Sequence, residues 1–86
     1  MVNLEKNPVE WAGILYELDD LKEHLDSLIK QMSDEGKIDE TDYEIQIGHL
    51  YAHLNRAWNS RSATVDTVEK NLGKYTEFPK DINTCG

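Results

Sequence analysis

Cysteine, proline and phenylalanine are scarce in this chain: one, two and one among 86 residues. The single cysteine, Cys85, has no partner within the chain, so internal disulfides are excluded as a source of stability. It has no basic neighbour to make its thiol reactive, and its rarity fits a reducing compartment. The two prolines, Pro8 and Pro79, leave everything between them free to be helical. The five glycines, at 13, 36, 48, 73 and 86, are too scattered to form a phosphate-binding loop. No apolar run approaches the roughly eighteen residues that a membrane span needs. Met1 to Pro8 lack the basic and apolar regions of a secretory signal. The expected compartment is the cytoplasm.

Positive charge is also short. Nine Lys and Arg face seventeen Asp and Glu, a net charge of −8. The imbalance is concentrated in residues 1–44, which hold thirteen acids and four bases; residues 45–86 hold four acids and five bases. Such a surface repels phosphates, which argues against direct nucleic-acid binding and leaves a basic protein as an alternative partner.

What the chain does have is helical periodicity. Asn7-Pro8-Val9-Glu10 is a helix start, with Asn7 as cap and Pro8 in the first turn. Apolar residues then fall at Trp11, Ile14, Leu18, Leu21, Leu25, Leu28 and Met32, alternating steps of three and four. This predicts a first helix over about residues 8–33, closed by Gly36. Asp39 and Thr41 are alternative caps for a second helix, whose seam is Tyr43, Ile47, Leu50, Leu54 and Ala57. That helix runs over about 40–60, or through to 72, and continuity is slightly favoured because no glycine or proline interrupts residues 49–72. The expected fold is all-α: an antiparallel two-helix hairpin domain, residues 1–73, followed by a loosely ordered tail, residues 74–86.

A turn near Gly36-Lys37 makes facing residues sum to about 73 in number. One flank of the seam then carries Leu15, Ile29, Tyr51 and Trp58, and the other carries Glu17, His24, Gln31, Gln46, His53 and Ser60. Two helices hide only the seam, so the apolar flank is left over. Covering a large apolar side chain is worth about 1.5–3 kcal/mol, and such patches mark interaction sites. The simplest closure is a homodimer, two hairpins forming a four-helix bundle. The alternative is that residues 62–78 fold back over the patch.

Signals for chemistry are sparse. No serine or cysteine has a catalytic setting, no cofactor is expected, and the chain reads as a non-enzymatic interaction or regulatory module. Trp58 between Arg56 and Arg61 has the composition of an interface hot spot, or of an aromatic plug covered by arginine stems. Glu10, Glu17, Asp19, Asp20, Glu23 and Asp26 are expected on the outer face of the first helix, where they would suit an inhibitor of a basic enzyme or simply keep the helix hydrated. His49 and His53, one helical turn apart and near His24 in the facing register, are candidate metal ligands. Against that stands the plainer alternative of three part-exposed histidines, His24 pairing with Asp20.

Overall fold

The computed structural model describes residues 2–86. Four helices follow one another: α1 Pro8–Glu35, α2 Glu40–Asn59, α3 Val65–Lys70 and α4 Leu72–Thr76, with no strand among the described residues. The two long helices pack against each other as an antiparallel hairpin, as the heptad spacing predicts.

Pro8 opens α1, but Asn7 makes no side-chain cap. Asn3 organises the lead-in instead: its side-chain oxygen accepts from Lys6 N–H at 2.7 Å and its carbonyl from Asn7 N–H at 2.9 Å. With φ −133° and ψ 59°, Asn7 lies outside the extended geometry that aims a capping oxygen at the first turn. At the other end α1 runs two residues past the expected boundary. Gly36 stops it at φ 67°, a left-handed conformation costly for any residue with a Cβ, and its N–H donates to Met32 O. Of the two candidate caps for α2, Asp39 is used; its carboxylate accepts from the N–H groups of Thr41 and Asp42.

The second helix takes the shorter of its two expected lengths. Continuity to residue 72 fails at Ser60, where Arg61 turns back: its Nη1 donates to Trp58 O at 2.9 Å and its guanidinium sits 3.8 Å from the Trp58 ring centroid. The Arg61 backbone N–H donates to the same Trp58 carbonyl at 3.2 Å, so the chain closes in a tighter three-residue turn where a continuing α-helix would bond four residues on. Thr64 caps α3 through its hydroxyl oxygen, which accepts from Thr67 N–H.

No regular structure follows Thr76, yet the tail is fastened to α2 as far as Asp81. Asn55 Nδ2 donates to Thr76 O, Asn59 Nδ2 to Tyr75 O and Glu77 O, and Trp58 Nε1 to Asp81 Oδ1. The Phe78 ring stands edge-on to Tyr51. These are mostly bonds from side chains to backbone, so they satisfy polar groups without enlarging the apolar core.

That core is thin. Among the described residues, the buried apolar ones are Leu28, Leu50 and Ala57, joined by two buried polar ones, His53 and Asn55. The chain exposes 6747 Å², where a compact monomer of its mass exposes about 5200 Å². Its radius of gyration, 14.8 Å, likewise exceeds the roughly 12 Å of a compact domain this long.

Candidate functional site

The hairpin presents two unlike flanks. On the polar flank the facing numbers do sum to about 73. Gln31 Nε2 donates to Asp42 Oδ2 at 3.4 Å near the turn, His24 and His49 stand with ring centroids 4.4 Å apart, and Arg56 Nε donates to Glu17 Oε1 at 2.9 Å. A row of polar side chains therefore runs along this side, each held by its opposite number.

His53 is its centre. The side chain is 6% exposed and sits between two carboxylates: Nδ1 is 2.7 Å from Glu17 Oε2, and Nε2 is 3.0 Å from Asp20 Oδ2. The Glu17 contact is attractive only with a proton on Nδ1, which makes Nδ1–H the donor. The approach of Arg56 Nη2 to the same atom, 3.2 Å, is then a contact between two donors, and Arg56 is held by Glu17 and by Thr76 Oγ1 instead. The outer nitrogen, Nε2, also meets His49 Nε2 at 3.2 Å. The ligand atoms of His24, His49 and His53 all lie within 4.8 Å of one another. Partial loss of hydration in the cluster, and then the nearby His24 and His53, hold the exposed His49 below the ordinary imidazole pKa. A shallow cavity of about 260 Å³ opens against His24 and His49, also lined by Ser27, Ile45 and Gln46.

Two acids expected on the outer face of α1 are therefore turned inward. Glu17 and Asp20 bind His53, because helical spacing puts them on the side that meets α2. Asp19, Glu23 and Asp26 stay exposed, and Glu10 is half-buried. Arg56 lies on the polar flank, paired with Glu17, while Arg61 stands over the Trp58 ring and pairs with Asp81, 2.9 Å away.

The other flank is apolar and open. Leu15 is 51% exposed and Ile29 53%, and between and beyond them Leu18, Leu25 and Met32 are also exposed. These five fall within about one quadrant of α1. Tyr43, Tyr51 and Leu54 continue the surface on α2. The last third of the chain mostly lies elsewhere. Val65 of α3 sits against Gly13, and α4 hangs from Asn55 and Arg56, enclosing a cavity of about 230 Å³ that Glu17 and Arg56 help to line. Phe78 against Tyr51 and the Asp81 bond to Trp58 reach toward the apolar side, and Tyr51 remains 46% exposed.

No helix among the described residues is long and apolar enough to cross a membrane. No family model matches the chain, and neither a curated protein nor a solved structure matches it.

Proposed function

We propose that this chain is a non-enzymatic, self-associating helical module that works by presenting surfaces to proteins, and that its first partner is a second copy of itself. The reading rests on the uncovered apolar flank, from Leu15 to Met32 on α1 and from Tyr43 to Leu54 on α2. The chain exposes about 1500 Å² more than a compact monomer of its mass. A stable dimer needs only about 800 Å² from each partner. Two hairpins apposed across this flank make a four-helix bundle whose new seam is leucine, isoleucine and tyrosine.

Sedimentation equilibrium at tens of micromolar tests it. The expected species has twice the 9.9 kDa chain mass, and Leu15→Asp with Ile29→Asp is expected to weaken association at least about tenfold, the equivalent of 1.4 kcal/mol, with helicity unchanged. A wild-type monomer at that concentration overturns the reading. The competing role, an acidic inhibitor of a basic enzyme, keeps Asp19, Glu23 and Asp26 for contact. Its signature is a basic partner captured by the monomeric chain and released by salt.

A further inference from the structure

Three of the chain's chemically versatile side chains converge on one point of the polar flank, and self-association through the opposite flank does not explain why. The two carboxylates of Glu17 and Asp20 beside its ring account for His53 alone. They do not account for His24 and His49 turning to the same place. The 3.7 Å from His24 Nε2 to Asp20 Oδ2 is too long for a hydrogen bond.

We propose that His24, His49 and His53, with Asp20 as the fourth donor, form a binding site for a divalent first-row transition ion of borderline softness, zinc in the first instance. Two of the donor separations are those such a site uses. Zinc–nitrogen bonds of about 2.0–2.1 Å in a tetrahedron place neighbouring donors about 3.3 Å apart. His53 Nε2 lies 3.2 Å from His49 Nε2 and 3.0 Å from Asp20 Oδ2. His24 has the furthest to come, its ligand atom staying within 4.8 Å of the other two. It is exposed, so a rotamer adjustment is open to it.

The surroundings fit as well. Glu17 accepts a hydrogen bond from His53 Nδ1–H, which leaves the Nε2 lone pair facing the cluster, while Arg56 holds the other oxygen of Glu17. A ligating histidine is commonly fixed in this way by a carboxylate on its other nitrogen. Imidazole and carboxylate donors suit zinc and its neighbours rather than calcium or magnesium, which prefer all-oxygen shells. The cavity at His24 and His49 gives an ion a way in from solvent. Asp20 and His24 come from α1, His49 and His53 from α2. The ion would therefore cross-link the hairpin, a device that small chains with thin cores use in place of apolar burial.

Calorimetry and cobalt spectroscopy on the full, tag-free, chelator-treated chain test the site. With zinc the expected result is one ion per chain and a dissociation constant of about micromolar or tighter; with Co²⁺ it is the intense visible bands of a four-coordinate site. His24→Ala with His49→Ala alters two exposed residues. This double variant is expected to keep the helical circular dichroism and to lose at least about a hundredfold in zinc affinity, together with the zinc-dependent rise in Tm seen in the wild type. No saturable heat with zinc at tens of micromolar chain overturns the proposal. So does a double variant that binds within threefold of the wild type, which would place the ion elsewhere. Either failure leaves the sedimentation result standing, because the apolar flank contains none of these donors.

Discussion

Gly48 lies in the interior of α2, exposed, and a Cβ built on it meets nothing within 4 Å. The helix therefore bears the glycine's conformational entropy with no packing gain to offset it. Gly48→Ala is expected to stabilise the chain by up to about 1 kcal/mol, a rise in Tm of roughly 4–8 °C for a domain of this size, read by thermal denaturation. An unchanged or lower Tm would mean that something approaches this position in solution. At this scale the sequence is readable where a residue's role is local. Gly36, Pro8 and Asp39 do what their types suggest. It is less readable where a role depends on a distant neighbour. Glu17 reads as a surface acid from its own helix and as a neighbour of His53 only through the facing register; Asp20 reads as a surface acid or a partner of His24, and nothing near it in the chain identifies it as a partner of His53, more than thirty residues away. Arg56 reads as a companion of Trp58 by proximity in sequence, while its guanidinium in fact points across the hairpin to Glu17. The spacing of His49 and His53 is visible in the sequence; their meeting with His24 follows only from the register.

Between elements, the hairpin was legible, and its register to within a turn, because the connection is short and each seam repeats without a gap. The apolar tail residue Phe78, which meets Tyr51, was readable as an anchor; the polar fastening of the tail was not. It depends on Asn55, Asn59 and Trp58 reaching backbone carbonyls and a carboxylate, and such bonds leave no periodic trace. Asp81 is the last point held. Its carboxyl is kept below the ordinary aspartate range first by the hydrogen bond from Trp58 Nε1–H and then by Arg61. A depressed folded-state pKa means that this stabilisation is fully present above the unfolded-state value and fades as pH falls through the folded one. Asp81 is solvent-exposed, so the effect belongs to the tail and not to the whole fold. The Trp58 indole N–H resonance is expected to hold its position from neutral pH down to the ordinary aspartate range, and to move toward that of a free indole only below it. Asp81→Asn, which cannot ionise, is expected to remove that transition. A wild-type resonance that already moves near neutrality would show that Asp81 is not what holds it.

At the scale of the molecule, charge and apolar surface pull in opposite directions. The chain carries −8, and helical spacing puts the exposed acids Asp19, Glu23 and Asp26 along the border of the stripe formed by Leu15, Leu18, Leu25, Ile29 and Met32. Joining two copies across that stripe brings two acidic borders together, so apolar burial must exceed a like-charge repulsion. Salt weakens that repulsion, because the Debye length falls from about 30 Å at 0.01 M to about 3 Å at 1 M. Apolar burial is not weakened in the same way. The dimer is therefore expected to tighten several-fold between about 20 mM and 500 mM sodium chloride, measured by sedimentation equilibrium or dilution calorimetry. The sign is informative because Lys22 lies inside the same arc of α1. Were the copies held chiefly by Lys22 reaching the acids of its partner, added salt would loosen them. Tightening with salt, together with loss of association in Leu15→Asp with Ile29→Asp, identifies the leucine stripe as the contact; loosening with salt would move the interface to the charged border and leave the stripe without a covering partner.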